Sequence, residues 1–217
     1  MPFSMKFYQD QLVEGGESAA PLRDAQRMVF VRHGSVVING QKLNAQDSAY
    51  FAGPMQMQAA DEWSQVWRWE IDQPNAAPEL LQGMGVLSTL RLARVVTTLE
   101  LVAGDDWLFR LDRVNSVAGR VTPRHGHHGP GIRCLYQGTF NVQDNSHVIS
   151  DRVPGDPWWE SGEDVVVAWH SLQMPAIFIR GMILPVAMKG SISNIWKSDG
   201  PPPKANWHLF HDEIVTL

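Results

Sequence analysis

Short apolar runs separated by turn residues dominate the first third of the chain. Val66–Ile71 largely alternates apolar and polar residues with a period of two, the pattern of a half-buried strand. Met28–Val31 is an apolar run that stops at His33-Gly34. Val36–Ile38 stops at Asn39-Gly40, a pair that supplies the two positive-φ positions of a tight hairpin turn. Short strands that recur with such turns between them predict an all-β barrel or sandwich.

The same pattern resumes after Thr97. It predicts further strands, among them Trp107–Val114, Ile132–Tyr136 and Ala176–Leu184. Trp207–Phe210 and Glu213–Leu217 are expected to form a closing strand. The helix content should therefore be low.

Two stretches read as connectors. Asp72–Pro78 contains two prolines and has no periodicity, so it predicts a linker, and Gly200–Pro203 predicts a stiff, extended segment. We therefore expect two small barrels, the first of which is short for a closed barrel. The expected parts are an N-terminal barrel over residues 1–75, a linker with a short helix over 76–96, a C-terminal barrel over 97–189, and strands from 190–217 that return to complete the first barrel.

Composition and charge exclude several classes of function. The 217 residues carry a net charge of −5, with a sequence pI near 5.9 and no basic cluster. A nucleic-acid or membrane-surface partner is therefore not expected. The apolar stretches are too short to span a bilayer, and Met1–Gly15 lacks the apolar core of a signal peptide. Cys134 is the single cysteine, so no internal disulfide forms, and we expect a cytoplasmic protein.

The residues with the clearest chemistry lie between Gly119 and Gly138. His125 and His127 are separated by one residue, so a strand places both imidazoles side by side on one face. Two neutral imidazoles held in this way can chelate one metal ion. The alternative is a pair of exposed histidines in a turn rich in glycine and proline.

This stretch resembles the first motif of the cupin superfamily. That motif is a glycine, five residues, His-x-His, three or four residues, a glutamate, six residues and a glycine. Gly119, His125, His127 and Gly138 stand at these spacings, whereas Gly131 occupies the position of the glutamate. The first half of the chain contains no His-x-His.

A second cupin motif is built around a Pro-Gly-Asp turn, which Pro154-Gly155-Asp156 resembles. Glu163, Asp164 and Val165 follow Gly162 where the motif has a histidine. The resemblance covers about residues 97–185. It implies an all-β bicupin of two jelly-roll barrels, of which the first is metal-free and the second holds a divalent transition metal (Fe, Mn, Ni or Zn). It also implies a homodimer.

The missing ligands must come from other residues. Glu160, beside the second motif, is the first candidate, and His170, at the end of a predicted strand, is the second. The alternative for Glu160 is a surface carboxylate, and for His170 a solvated or hydrogen-bonded histidine. His128 would point to the opposite face of the strand from its neighbour His127.

Five residues are candidates for a substrate pocket. Arg133 and Gln137 share strand parity with position 131, so both are expected to face inward. Arg133 would either orient an anionic substrate or form an interior salt bridge. Tyr136, Trp158 and Trp159 would form an aromatic wall, with packing in the core as the alternative.

Two classes of function remain open. The first is a metal-dependent enzyme acting on a small organic acid or an aromatic or enolic substrate, with dioxygenase-type cleavage as the first expectation and isomerisation or hydrolysis as alternatives. Glu160 would complete the metal shell or act as a base, and Arg133 would orient the substrate. The second is a non-catalytic cupin that binds or senses a small molecule, which the loss of two motif ligands favours.

Overall fold

The computed structural model describes residues 3–60, 62–73, 76–145, 147–197 and 206–217. The chain divides into two compact units, Met1–Val95 and Val96–Leu217. Within the described ranges every strand pairing is antiparallel, and the one helical segment is a 3-10 turn at Val186–Met188. The all-β expectation is therefore confirmed. None of the described residues belongs to a helix with the length and hydrophobicity of a membrane span.

The first unit consists of two sheets. A five-stranded sheet has the order β5-β2-β7-β1-β8, and a three-stranded sheet has the order β4-β3-β6. Asn39 and Gly40 join β3 to β4 with φ values of 47° and 84°, which confirms the predicted hairpin turn. The strands are β1 (Ser4–Leu12), β2 (Gln26–His33), β3 (Ser35–Ile38), β4 (Gln41–Asn44), β5 (Ser48–Ala52), β6 (Met57–Ala59), β7 (Ser64–Asp72) and β8 (Val86–Val95).

Alternation along β7 produces a face with an apolar end and a charged end. Val66 packs in the apolar cluster of the unit, and Arg68 and Glu70 follow on the same face. Nε of Arg68 donates to Oδ2 of Asp10 at 2.7 Å, and Arg68 also pairs with Glu70. Arg27 pairs with the same Glu70 through Nε at 2.5 Å. All four charged side chains are fully buried, so ion pairs fill this end of the unit.

The second unit consists of two five-stranded sheets. One has the order β14-β11-β16-β9-β18 and the other the order β13-β12-β15-β10-β17. The strands β9, β11 and β16 contain the three strands predicted above. The full set is β9 (Asp106–Ser116), β10 (Val121–His127), β11 (Gly131–Gln137), β12 (Phe140–Gln143), β13 (Val148–Arg152), β14 (Pro157–Glu160), β15 (Val166–His170), β16 (Ala176–Leu184), β17 (Asn194–Trp196) and β18 (Trp207–Thr216).

Two parts of the expected domain organisation are wrong. Residues 86–95 form the edge strand β8 beside β1, and not a linker with a short helix, so the first unit extends to Val95. The C-terminal strand β18 pairs with β9 of the second unit, and not with the first unit. Both are edge strands whose neighbour is distant in sequence, and a local pattern does not identify such a neighbour. Residues 74 and 75 of the predicted linker and the predicted Gly200–Pro203 connector lie outside the described residues.

Candidate functional site

The histidine pair lies on β10, inside the second unit. His125 and His127 are each 6% exposed, and their ring centroids are 5.1 Å apart. Nδ1 of His125 lies 2.7 Å from the carbonyl oxygen of Pro123, so this nitrogen donates its proton there and Nε2 keeps a lone pair. The alternative of two exposed turn histidines is therefore wrong.

Glu160 provides a carboxylate where Gly131 has no side chain. The pairing of β14 with β11 places Glu160 directly opposite Gly131. A Cβ atom at Gly131 would lie 2.3 Å from the carbonyl oxygen of Gly181, so no side chain fits at this position. Glu160 is 9% exposed, and its Oε2 lies 3.0 Å from Nε2 of His127. A surface position for this carboxylate is therefore wrong, and the structure brings Glu160 to the histidine pair.

Arg133 is almost fully enclosed and has several acceptors around its guanidinium. Nη2 lies 3.0 Å from Oε2 of Glu160. Nη1 donates to the carbonyl oxygen of Gly131 at 2.6 Å and to that of Glu160 at 3.3 Å. Of the two roles expected for Arg133, the interior salt bridge is therefore present.

Burial and these contacts determine the charges of the site. Burial alone would raise the pKa of Glu160, but the charge of Arg133, the close contact of His127 and a hydrogen bond from Trp158 outweigh it and hold that pKa well below its usual range. Burial lowers the pKa of His127 to about 3 and that of Arg133 to about 10. Burial also lowers the pKa of His125. At neutral pH the site therefore contains two neutral imidazoles, a carboxylate and a guanidinium.

His170 does not join this group. Val166 on β15 is the cross-strand neighbour of His125, and His170 lies four residues further along, about 13 Å for an extended strand. Its ring stacks on Phe140 with centroids 5.5 Å apart, and both ring nitrogens are buried without a hydrogen-bond partner among the described residues. At this distance along the strand His170 cannot share a metal ion with His125, so the expectation that His170 acts as a ligand is wrong.

The remaining pocket candidates occupy other positions. Trp158 lies behind the site, where its Nε1 donates to Oε1 of Glu160 at 2.8 Å. Trp159 alternates to the opposite face of β14. The register of β11 shifts before Gln137, which is exposed, and Tyr136 is half-buried. Apart from Arg133, none of the five pocket candidates lines the cavity described next: the bulge and the alternation turn three of them away, and Trp158 packs in the core against Phe140 and Phe178.

A cavity of about 80 Å³ opens in front of the histidine pair. Its volume exceeds that of a single water site several times, so it can hold a small molecule. One part of its wall is charged or polar and the other is apolar. The polar part includes Arg120, His125, His127, Arg133, Glu160, Arg180 and Asn194, and the apolar part includes Val114, Phe140, Val142, Val166, Ala168 and Phe178.

Arg180 and Asn194 are cavity residues that the sequence pattern did not identify. Asn194 is the cross-strand neighbour of His127 on β17, a pairing that no local pattern predicts. Arg180 is the one charged residue in the otherwise apolar strand Ala176–Leu184. A lone charge inside a buried strand is the signal that would have indicated it.

The donor atoms at this wall fit a first-row divalent metal in kind. Nε2 of His127 and Oε2 of Glu160 meet at 3.0 Å, and this buried oxygen has no aligned hydrogen bond in the described ranges. His125 adds a second neutral imidazole whose Nδ1 is already held by a carbonyl, as metal-binding histidines commonly are. The described part of the chain contains no group of three His, Cys, Asp or Glu side chains assembled around one point. Nε2 of His127 and Oε2 of Glu160 therefore converge, and His125, which lies beside His127 on β10, is the third candidate ligand.

Proteins from several bacteria have solved structures with the same fold. AerE from Microcystis aeruginosa matches with a TM-score of 0.61 at 13% identity, over 83% of this chain and 88% of that one. An oxalate decarboxylase from Lactobacillus farciminis, in a formate complex, matches with a TM-score of 0.62 at 14% identity, over 88% and 79%. A salicylate 1,2-dioxygenase from Pseudaminobacter salicylatoxidans matches with a TM-score of 0.55 at 13% identity, over 82% and 70%.

At these identities the likeness shows the fold alone. It confirms the cupin fold that the His-x-His stretch and the Pro-Gly-Asp turn predicted, with a jelly-roll arrangement of antiparallel sheets. No protein-family model and no curated protein sequence matches the chain.

Proposed function

We propose that the second unit is a metal-dependent cupin enzyme site that acts on a small organic acid, with His125, His127 and Glu160 as the metal ligands. The observation that carries the proposal is the buried Oε2 of Glu160. This oxygen has no aligned hydrogen bond, lies 3.0 Å from a neutral histidine nitrogen, and borders a cavity. A set of two imidazoles and one carboxylate suits Fe, Mn, Ni or Zn.

The organic-acid substrate is supported by the cavity and by the structural neighbours. Two neighbours are an oxalate decarboxylase and a salicylate 1,2-dioxygenase, whose names denote small carboxylic acids. The cavity of this chain presents buried guanidinium groups beside an apolar wall, which suits a small acid with an apolar body. Dioxygenase-type cleavage is our first assignment, and isomerisation and hydrolysis are the alternatives.

When bound, the metal would supply a Lewis acid that polarises the substrate or a small co-reactant. The residues of the chain prepare the site in three ways. The carbonyl oxygen of Pro123 fixes the tautomer of His125, so that Nε2 keeps its lone pair for a metal ion. Arg133 keeps Glu160 ionised, as a ligand or a base must be. The apolar wall around Phe140 and Phe178 limits the access of water.

A second candidate function is a metal-free cupin that binds a small molecule without turnover. The observation that favours it is the contact of Nη2 of Arg133 with Oε2 of Glu160 at 3.0 Å. A guanidinium at this distance balances the carboxylate by itself, so the site is electrically neutral before any ion enters.

Elemental analysis of untagged protein separates the two candidates. The parent is compared with the double variant His125→Ala/His127→Ala and with the matched control His208→Ala/His211→Ala, in which two histidines of β18 are removed. We expect about one transition metal per chain in the parent and in the control, and none in the His125/His127 variant. A parent that stays metal-free after reconstitution with Fe, Mn, Ni and Zn would refute the enzyme proposal and leave the metal-free binder.

A further inference from the structure

Arg180 is placed on the wall of the cavity by the register of two strand pairs. On β16 it is the direct neighbour of Arg133 on one side and of Asp112 on the other. Its side chain is 4% exposed and borders the cavity. A charged side chain in a strand as apolar as Ala176–Leu184 needs a specific partner or function.

Asp112 holds Arg180 by one edge of the guanidinium. Nε of Arg180 donates to Oδ1 of Asp112 at 2.5 Å. The other carboxylate oxygen of Asp112, which is fully buried, accepts a hydrogen bond from Nε1 of Trp207 at 2.7 Å. The plane of the guanidinium is therefore fixed from behind, by a carboxylate that is itself fixed.

The two terminal amino groups of Arg180 remain available in the part of the chain that the structure describes. Within the described ranges, Nε is the atom of this guanidinium that has a hydrogen-bond partner. Arg133 differs, because its Nη1 donates to two carbonyl oxygens and its Nη2 contacts Glu160. Of Arg133 and Arg180, it is Arg180 that has, among the described residues, the free fork that a carboxylate needs for paired hydrogen bonds.

Electrostatics favour an anion at the same place. Two arginines that face each other directly across a strand pair repel. Glu160 and Asp112 each face one of the two guanidinium groups, and an anion at the fork of Arg180 adds paired hydrogen bonds to these contacts.

We infer that Arg180 is the carboxylate-binding residue of the cavity, and that the ligand is a small carboxylic acid with a compact apolar body packed against Phe140 and Phe178. This rests on the proposed function, since it names the end of the organic acid that the chain holds. It also moves the substrate-orienting role from Arg133 to Arg180, with Asp112 as the positioning residue. A fully hydrated inorganic anion fits less well, because two aromatic rings form part of the wall.

Calorimetric titration with matched acids and amides tests the inference. The probes are benzoate against benzamide and isobutyrate against isobutyramide, each pair having nearly the same shape and differing in charge. Metal content is measured on the same samples of parent, Arg180→Met, Arg180→Lys and the control Lys189→Met, which removes an exposed charge from the same unit. We expect the parent and Lys189→Met to bind an acid at least about tenfold more tightly than its amide. Arg180→Met should lose that preference while its amide affinity and metal content stay unchanged.

Three results would overturn the inference. They are equal affinity of the parent for acid and amide, an acid preference that survives in Arg180→Met, and no binding of any probe at millimolar concentration. If Arg180→Met does not fold, the test rests on two other results. They are the ratio of acid to amide affinity in the parent, and a reduced but retained preference for the acid in Arg180→Lys. An acid preference that depends on Arg180 in a protein that stays metal-free after reconstitution supports this inference and refutes the metal site. A loaded metal without acid preference does the reverse.

Discussion

Replacing Glu160 by Gln tests whether the interior ion pair exists as described. The amide keeps an oxygen for Nε1 of Trp158, which now donates to Oε1 at 2.8 Å. It loses the charge that faces Arg133 and His127 at 3.0 Å. The side chain remains nearly the same size, so the change isolates the charge.

The expected cost follows from what the substitution leaves behind. Removing one partner of a buried ion pair typically costs 3–5 kcal/mol, because the other charge stays buried and unpaired. Arg133 retains hydrogen bonds to two carbonyl oxygens, so we expect the lower end, about 3 kcal/mol. If the chain of 217 residues unfolds as a whole, that corresponds to a fall in melting temperature of roughly 6–12 °C.

Urea unfolding of chelator-treated protein, followed by tryptophan fluorescence, measures this difference without any metal contribution. The matched control is Glu163→Gln, three residues further on and exposed, which should change the free energy of unfolding by less than about 0.5 kcal/mol. If Glu160→Gln unfolds like the control, Glu160 is not the ionised partner of Arg133, and the geometry of the site is wrong.

Three further predictions concern stability. Gly131→Ala should destabilise the protein by about 2–3 kcal/mol in urea, because its Cβ would meet the backbone oxygen of Gly181 at 2.3 Å, and a neutral effect would contradict the strand spacing. Metal-free protein should lose stability as the pH falls below about 6.5 towards 3, because burial lowers the pKa of His127 to about 3 and the unfolded chain takes up a proton that the folded chain does not. In His127→Gln this part of the pH dependence should disappear, and an unchanged profile would refute the assignment. Arg68→Met removes the arginine that pairs with the buried Asp10 and leaves Glu70 paired with Arg27, and it should cost about 3–5 kcal/mol, whereas the exposed Arg91→Met should be nearly neutral, which thermal unfolding compares directly.

The fold was predictable where local chemistry determines it. Asn39-Gly40 encodes a turn by its own backbone preferences, and the alternation in Val66–Ile71 defines a face without reference to any neighbour. The position of β18 was not predictable in this way. Its partner β9 begins about a hundred residues earlier, and several strands offered an equivalent edge.

The residues of the candidate site also divide into those that a local pattern identifies and those that only strand pairing brings together. His125 and His127 were identified because their spacing fixes a shared face within one strand. Glu160 was found by its nearness to the second motif, although its position opposite Gly131 needs the register of β11 and β14. Arg180 was missed because its relation to Arg133 and Asp112 exists only once three strands are paired.

The most direct test of the proposed metal site is anomalous diffraction from crystals of metal-loaded protein, recorded at the absorption edge of the bound metal. The account predicts one anomalous peak in the cavity of the second unit, about 2.0–2.2 Å from Nε2 of His125, Nε2 of His127 and an oxygen of Glu160. A peak elsewhere in the chain would contradict it. So would the absence of a peak from the cavity at full metal loading, with Arg133 and Glu160 still paired.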